Sequence, residues 1–354
     1  MGRIATTLMG LSGQGRRLLP ILSDHPRVEL IGLAERDPKM LAAVEEVKGC
    51  ALYDDYRQLV VQSPAALTIV AAPPFSSNEQ TILAAQRGSH IWRMDPPGRG
   101  VAQAAELIQA VTREQRMLVL GAGWRRAAVW RTLLAQVESL GTVYALRVAR
   151  TVSYRQEGLG WRGDSLRAGG GVLLHLGYEP IAQVMEILGR PGTVMATGSR
   201  LAGGYHAPNY DTEDTATVMM LYPRGATAVV TVSWLAHPVQ AGFRVHGSSG
   251  SARIDVDGLR IWNDAGQVVT AVEDAGDGLA DQLDAILDVI ETEKPLSDPH
   301  AGRHLEVMAT IEAAYVSMRT GQPESTAAFL ELHGIDRLPS APTRQVEPIV
   351  DPSA

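Results

Sequence analysis

The feature that most constrains the fold is a regular alternation of apolar runs and amphipathic stretches over residues 3–120. Strand-like runs are predicted at Ile4–Met9, Val28–Leu33, Leu67–Val70, His90–Arg93 and Met117–Leu120. Apolar residues with helical spacing separate them at about 14–23, 38–48, 76–87 and 100–115. Strands that alternate with helices in this way form βαβ units, so a parallel sheet is predicted for this half of the chain.

A glycine-rich segment follows the first predicted strand and opens the first predicted helix. It reads Gly10-Leu11-Ser12-Gly13-Gln14-Gly15, a G-x-G-x-x-G pattern with serine at the second glycine position. Glycines in this pattern allow a tight turn, a close approach of backbone to a pyrophosphate, and packing of the helix on the strand. The helix N-terminus also attracts phosphate through its unpaired N–H groups. The segment predicts a Rossmann dinucleotide-binding domain, with cofactor contacts from Gly10, Ser12, Gly13, Gln14 and Gly15.

Glu35 ends the second predicted strand, about 20 residues after the glycine segment, where such domains carry an acidic residue. A carboxylate there accepts hydrogen bonds from the adenosine ribose and repels a 2′-phosphate, which favours NAD. Arg36 follows it and could instead cover the adenine or meet a phosphate. NAD is therefore the predicted cofactor, and NADP stays open.

The second half of the chain has consecutive strand-like runs joined by short turns. They lie at Thr142–Arg150, Val194–Arg200, Thr215–Tyr222, Ala226–Trp234, Gly242–His246, Ala252–Val256 and Leu259–Trp262, with helices at 124–138 and about 172–188, 277–292 and 300–319. This pattern favours an open, mostly antiparallel sheet. We predict an α/β Rossmann domain over 1–122, an α+β substrate and oligomerisation domain over 123–335, and a Pro-rich tail over 336–354.

Composition argues against several classes of protein. The net charge is −7 without a long basic patch, which argues against a nucleic-acid partner. A lone cysteine, Cys50, rules out an internal disulfide framework and fits a reducing compartment. No uncharged apolar run approaches the roughly 20 residues that span a bilayer, and no secretory signal pattern is present. We expect a cytoplasmic protein that acts on a small molecule and has no membrane partner.

The segment Gly169–Pro180 reads Gly-Gly-Gly-Val-Leu-Leu-His-Leu-Gly-Tyr-Glu-Pro and points to a site. Three glycines give a flexible turn that can approach a ligand closely. His175 and Glu179 are four residues apart, so they would share one face of a continuous helix. Two interpretations stay open: a functional pair, or a His–Glu pair that only satisfies itself in the core.

Four stretches, taken in order, carry a resemblance to a known family: Gly10–Gly15, Ala71–Pro73 with Gly88–His90, Arg93–Pro96, and Gly169–Pro180. Together with Ala313-Ala314-Tyr315-Val316-Ser317, they resemble the Gfo/Idh/MocA family, the glucose–fructose oxidoreductase and inositol dehydrogenase group, up to about residue 326. The resemblance implies an NAD(P)-dependent oxidoreductase of sugars or polyols, and a homo-oligomer, dimer or tetramer, formed through the C-terminal sheet. It adds Ala72, Pro73, Met94 and Pro96 to the predicted cofactor-binding residues.

The catalytic positions depart from the family pattern. Met94-Asp95-Pro96 stands where the family usually has Glu-Lys-Pro, so Asp95 replaces the usual lysine. His175 and Glu179 stand where an aspartate and a histidine are usual. We hypothesise that His175 is the general acid/base, that Glu179 is its partner and that Asp95 is a second polar catalytic group.

Weaker candidates for substrate contact lie in nearby segments: Tyr154, Trp161, Arg162, His206 and His237. Each also fits an exposed loop, a connection or an interface. His206 or His237 could join His175 and Glu179 as metal ligands, but no full ligand motif is present, so no metal is predicted.

A carboxylate at Asp95 would oppose an alkoxide forming beside it, so the family's usual mechanism does not transfer intact. The predicted function is an NAD(P)-dependent oxidoreductase of carbohydrate metabolism, acting on a sugar, cyclitol or similar polyhydroxylated molecule by a variant mechanism. Two alternatives stay open: a redox-neutral lyase or hydrolase that uses bound NAD, and a non-catalytic dinucleotide-binding sensor or regulator.

Overall fold

The computed structural model of the chain describes residues 2–44, 49–121, 123–154, 159–200, 210–235, 238–273, 276–292 and 301–335. The first half holds β1 (Ile4–Met9), α1 (Gln14–Asp24), β2 (Val28–Ala34), α2 (Pro38–Ala42), β3 (Ala51–Tyr53), α3 (Tyr56–Gln62), β4 (Leu67–Val70), α4 (Pro74–Gln86), β5 (His90–Arg93), α5 (Val101–Arg113) and β6 (Leu118–Leu120).

The remainder begins with α6 (Ala128–Gln136), flanked by 3₁₀ turns at Trp124–Arg126 and Val137–Leu140. After it come β7 (Val143–Thr151), a 3₁₀ turn (Gly160–Gly163), α7 (Ser165–Ala168), α8 (Val172–His175), α9 (Tyr178–Leu188), β8 (Thr193–Ser199), β9 (Thr215–Leu221), β10 (Thr227–Ser233), β11 (Ala241–Gly247), β12 (Gly250–Asp255), β13 (Gly258–Asn263), β14 (Val268–Val272), α10 (Leu279–Thr292), α11 (Ala301–Thr320), β15 (Glu324–Ser325) and α12 (Thr326–Leu332). No helix in the described ranges is long and apolar enough to cross a membrane.

The chain divides into two compact units, and neither is continuous in sequence. The first comprises Met1–Gly98, Ala102–Arg126 and Asp277–Ala301, and the second comprises Arg99–Val101, Ala127–Gly276 and Gly302–Ala354. Helix α10 falls in the sequence-predicted second domain, whereas the structure places it in the first unit. The reason is packing, because its residues Leu279, Leu283, Ile286 and Leu287 are buried in the core of the first unit. The predicted tail, 336–354, lies outside the described residues.

The first unit is built on a six-stranded sheet in the order β3-β2-β1-β4-β5-β6. Its strands pair in parallel throughout, which confirms the predicted Rossmann sheet. All of β4 is buried, as expected for a central parallel strand covered on both faces. The strand order reverses between β1 and β4, and open α/β sheets bind ligands at such a point, beyond the carboxyl ends of the strands.

The second unit is built on a nine-stranded sheet in the order β14-β13-β12-β11-β7-β10-β9-β8-β15. Strands β7 and β10 pair in parallel, and the remaining pairs are antiparallel. The predicted open, mostly antiparallel sheet is confirmed. On β9 and β10 alternate residues are fully buried, among them Val218, Val230 and Val232, while Met219 on the other face of β9 is 37% exposed.

The helix predicted over 172–188 is two helices, α8 and α9, interrupted at Leu176–Gly177. The Gly177 N–H donates to the carbonyl of Val172, and a Cβ at Gly177 would lie 2.5 Å from the Leu173 carbonyl oxygen. Glycine is therefore needed for this close backbone approach. His175 ends α8 and Glu179 lies in the first turn of α9, so the two do not sit on one continuous helix.

Candidate active site

The loop after β1 has the shape of a phosphate cradle. Gly10 adopts φ 94°, and a Cβ there would lie 2.7 Å from the Ala72 backbone nitrogen. A Cβ at Gly15 would lie 2.0 Å from the Gly10 carbonyl oxygen. Gly13 precedes α1 with open space around it, and no side chain caps the N-terminus of this helix. Uncapped N–H groups beside an open glycine fit a pyrophosphate, so the residues present suit a dinucleotide.

The Glu35 side chain is hydrogen-bonded to the backbone of this loop. The residue is 7% exposed. One oxygen, Oε2, accepts a hydrogen bond from the Leu11 N–H at 2.7 Å, and Oε1 accepts one from the Asp37 N–H at 3.0 Å. Arg36, in contrast, is exposed. These two hydrogen bonds hold the carboxylate of Glu35 beside the glycine loop.

The ends of β4 and β5 carry the other predicted residues of the first unit. Ala72 and Met94 are nearly buried, and Pro73 precedes α4. Asp95 is half-buried and lies against Gly121, where a Cβ would be 3.1 Å from its Oδ2. The peptide bond from Asp95 to Pro96 is cis. These residues cluster at the edge of the sheet that the strand order marks as the ligand side.

A buried cation that the sequence analysis did not single out, Arg93, accompanies Asp95. Its side chain is fully buried, and its Nη1 donates to the hydroxyl oxygens of Ser77 at 3.1 Å and Thr81 at 3.2 Å. Burial lowers the pKa of Arg93 to about 9, while the charge of Asp95 acts to raise it. The aspartate in place of the family lysine thus comes with a positive charge two residues earlier.

In the second unit, four predicted residues and Trp234 form a closed ring of contacts, named here the ring cluster: Tyr154, Trp161, Arg162, His175 and Trp234. His175 meets Trp161 edge-on at 5.0 Å between ring centroids and stacks on Trp234 at 6.5 Å. Tyr154 meets Trp234 edge-on at 6.2 Å. The Arg162 guanidinium closes the ring, 4.7 Å from the centroid of Trp161 and 5.4 Å from that of Tyr154.

His175 is neutral in this setting. Its pKa falls to about 3, first because burial disfavours the charged ring and second because of the positive charge of Arg162. Its Nε2 lies 3.1 Å from the carbonyl oxygen of Ala168, which can only accept, so Nε2 carries the proton. The other ring nitrogen, Nδ1, is then a hydrogen-bond acceptor.

Glu179 has a different partner from the one predicted. Its Oε2 forms an ion pair with Nη1 of Arg150 at 2.6 Å, and its Oε1 accepts a weak hydrogen bond from Gln183 at 3.4 Å. The predicted His175–Glu179 pair is therefore not formed, because the break before α9 separates the two residues. Arg150 lies near the end of β7, where no motif marked it in the sequence.

The glycine turn that precedes α8 is anchored by Glu213 and Tyr315. Glu213 accepts hydrogen bonds from the N–H groups of Gly171 and Leu173 and from the Tyr315 hydroxyl, each at 2.9 Å. Burial raises the pKa of this carboxyl. A Cβ at Gly171 would lie 2.1 Å from the Glu213 carbonyl oxygen, so the turn requires glycine there. Sequence reasoning missed Glu213, which belongs to no motif.

A cavity of about 440 Å³ lies behind this turn, lined in part by Gly169, Gly170, Leu174, Tyr315 and Phe329. None of the ring cluster lines it. Two predicted substrate residues, His206 and His237, lie outside the described residues. Within the described ranges, no group of three or more His, Cys, Asp or Glu side chains could hold a metal ion.

Comparison with known proteins identifies the family of this chain. Residues 4–122 match the family model described as an oxidoreductase family with an NAD-binding Rossmann fold, and residues 131–253 match the GFO/IDH/MocA C-terminal domain. The chain belongs to the Gfo/Idh/MocA family of oxidoreductases. Its first unit is the NAD-binding Rossmann domain of that family.

Curated relatives of this oxidoreductase are distant in sequence. A UDP-kanosamine synthase oxidoreductase subunit of Amycolatopsis mediterranei is 24% identical over 268 residues, 70% of this chain and 74% of the relative. A dTDP-3,4-didehydro-2,6-dideoxy-α-D-glucose 3-reductase of Streptomyces antibioticus is 24% identical over 247 residues, 68% and 71% of the two chains.

Solved structures share the fold. The WlbA dehydrogenase of Bordetella pertussis, in complex with NADH and UDP-GlcNAcA, has a TM-score of 0.75 at 20% identity and covers 91% of this chain and 98% of its own. A levoglucosan dehydrogenase in complex with NADH and L-sorbose has a TM-score of 0.78 at 18% identity, covering 92% and 99%.

Proposed function

We propose that this oxidoreductase interconverts an alcohol and a ketone on a sugar or similar polyol, with NAD as the preferred cofactor. The names of the relatives support a sugar substrate, because they include nucleotide-sugar and anhydrosugar enzymes. The buried carboxylate of Glu35 beside the glycine loop supports NAD over NADP. The observation that carries the proposal is that the second unit presents a hydrogen-bond acceptor, Nδ1 of His175, and a carboxylate–guanidinium pair, Glu179 with Arg150.

Oxidation of a hydroxyl needs a base for its proton, and a proton taken up by His175 would place a positive charge on a buried ring near Arg162. We assign the base to Glu179, which stands at the position where the family resemblance expects a histidine. Arg150, 2.6 Å away, offsets the charge of an alkoxide forming near Glu179 and takes over the role of the missing lysine.

The glycine loop and Glu35 would hold NAD, which would supply the hydride-transfer chemistry. His175 orients the sugar, since its Nδ1 accepts a hydrogen bond from a hydroxyl while Nε2 remains bonded to the Ala168 carbonyl. Tyr154 and Trp161 supply aromatic walls of the kind that pack against the C–H face of a sugar ring.

The test compares Glu179→Gln with His175→Gln in steady-state turnover. Glu179→Gln should lower kcat by about 10² to 10⁴, the usual contribution of a general base. His175→Gln should mainly raise KM, because glutamine keeps a hydrogen-bonding group. Since His175 stays neutral from pH 5 to 9, its loss should leave the acidic limb of the kcat/KM profile in place.

Glu331→Gln, at an exposed position on α12, is the matched control and should leave turnover unchanged. If Glu179→Gln keeps full turnover while His175→Gln abolishes it, His175 is the acid/base and the assignment to Glu179 is wrong. NAD binding without turnover of any sugar or polyol would favour the sensor hypothesis.

A further inference from the structure

The ring cluster contains a permanent positive charge, that of Arg162, which the proposed chemistry does not use. Arg162 is half-buried, and its guanidinium lies over the rings of Trp161 and Tyr154. In the part of the chain that the structure describes, no carboxylate forms an ion pair with it. Its charge acts on the site, because it is one cause of the lowered pKa of His175.

Neighbouring arginines are neutralised in a way that Arg162 is not. Arg150 pairs with Glu179 at 2.6 Å, and Arg167 pairs with Asp164 at 3.3 Å. Arg162 therefore differs from both neighbours, since no carboxylate of the described residues pairs with it. A half-buried cation without a counter-ion is costly unless a bound anion compensates it.

The geometry of Arg162 suits one kind of anion. The guanidinium carbon lies over two aromatic rings, at 4.7 and 5.4 Å from their centroids, and these contacts use none of its N–H groups for hydrogen bonds to a carboxylate. The N–H edge of a guanidinium matches the two oxygens of a carboxylate, and one guanidinium balances one negative charge. A diphosphate carries more charge than this single cation offsets.

We propose that the substrate is a sugar acid, and that Arg162 determines specificity by binding its carboxylate. The proposal rests on the proposed sugar oxidoreductase function, and it names the class of sugar. The aromatic walls pack on the ring, His175 accepts a hydroxyl hydrogen bond, and the acid group lies on the N–H edge of Arg162. Glu179 remains available for the hydroxyl that is oxidised.

The test uses the NAD-saturated protein and three matched pairs of sugars: D-glucuronate with D-glucose, D-galacturonate with D-galactose, and D-mannuronate with D-mannose. Calorimetry should give at least one uronate an affinity about tenfold to hundredfold above its neutral partner, the range for a charge-assisted hydrogen-bonded contact. This preference should fall as ionic strength rises. Arg162→Gln should abolish it, and Arg162→Lys should keep part of it.

Arg167→Gln is the control, since Arg167 is a nearby exposed arginine outside the ring cluster, and it should preserve the preference. Unchanged NAD affinity and thermal unfolding establish that Arg162→Gln is folded. Equal affinity for every pair, a preference that survives in Arg162→Gln, or no binding of any uronate overturns the proposal. Tighter binding of UDP-glucose, which carries its charge on phosphates, than of any uronate also overturns it.

Measurements of turnover distinguish a failure of this inference from a failure of the proposed function. Absorbance of NADH is followed with the same sugars. If neutral sugars and uronates are oxidised at equal rates, the proposed oxidoreductase function is supported and the sugar-acid specificity is wrong. If uronates bind in a way that depends on Arg162 but no sugar yields NADH, the binding inference is supported and the proposed redox function is wrong.

Discussion

At the scale of single residues, the end of β5 combines a departure from the family pattern with a buried cation. Asp95 stands where the family has lysine, and Arg93, two positions earlier, is fully buried. Ser77 and Thr81 hydrogen-bond to Arg93, but the charge of Asp95 is what acts to raise its pKa against burial. Because the charge of Asp95 acts on the buried guanidinium of Arg93, the two positions should be coupled in stability.

Restoring the family lysine should therefore destabilise the protein. Asp95→Lys places a second cation beside the buried guanidinium and should lower the free energy of unfolding by about 1–3 kcal/mol. The double variant Arg93→Met/Asp95→Lys should recover most of that loss, because Ser77 and Thr81 keep other hydrogen bonds, to Pro73 and Ser77 carbonyls. Urea unfolding of both single variants and the double variant measures the coupling. Additive effects would contradict it.

Sequence reasoning found most of the ring cluster but not its partners. Tyr154, Trp161, Arg162 and His175 were selected because they lie near the glycine turn in a family-like order. Trp234, Glu213 and Arg150 were missed, since each reaches the site from a strand or loop distant in sequence. Long-range contacts of this kind leave no local pattern of spacing or composition.

At the scale of elements, buried strands were predictable, whereas an exposed edge strand and a short helix were not. Strand β4 was predicted with the bounds observed, because its residues are aliphatic apart from Thr68 and all of them are buried. Strand β3 and helix α3 were missed. β3 has only three residues, two of them exposed, and it lies at the edge of the sheet. Helix α3 is seven residues long, too short for a clear periodicity.

The break between α8 and α9 shows why the predicted pair failed. An apolar pattern with helical spacing continues across Leu176 and Gly177, so periodicity alone favours one helix. The tight approach of Gly177 to the Leu173 carbonyl ends α8 instead. Glu179 then meets Arg150, and His175 meets the aromatic rings. A single glycine thus decides which side chains share a site.

The second sheet carries an arginine ladder, defined here as Arg147, Arg244, Arg253 and Arg260. Arg244 lies directly opposite Arg147 on β7 and Arg253 on β12, and Arg253 lies opposite Arg260 on β13. Arg253 pairs with Asp255 at 2.7 Å. Like charges directly opposite each other on adjacent strands are destabilising, so the ladder weakens this sheet.

Reversing the central charge should strengthen the sheet. Arg244→Glu converts two repulsive cross-strand pairs into attractive ones, each worth roughly 0.2–1 kcal/mol, so the free energy of unfolding should rise. Arg244→Gln is the control and should give about half the gain. High salt should shrink both gains. Chemical denaturation at low and high salt measures them. Lower stability of Arg244→Glu than of Arg244→Gln would contradict the prediction and would mean that Arg244 contacts an acidic group. Sedimentation would then show whether a second copy of the chain supplies that group.

At the scale of the whole molecule, the discontinuous first unit is what the sequence could not reveal. Helix α10 follows the strands of the second unit in the chain, so order along the sequence assigns it there. Its Leu283 and Leu287 are fully buried in the first unit's core, and Arg27 pairs with Asp284 and Asp288 at 2.6 Å each. An amphipathic helix has a buried face, but its pattern does not say against which sheet it packs.

The Rossmann unit should therefore depend on residues about 150 positions downstream of its main segment. Without α10, a fragment of residues 1–126 exposes the surface that four buried aliphatic side chains cover, at about 1.5–3 kcal/mol each. That loss is comparable to the whole stability of a domain, about 5–15 kcal/mol. We expect the fragment to be unfolded and unable to bind NAD.

A second fragment, 1–126 joined to 277–292 by a short Gly/Ser linker, should fold, since Gly123 and Gly278 are adjacent. Circular dichroism and NAD titration compare the two, and NAD binding of full affinity by the first fragment would contradict the assignment of α10.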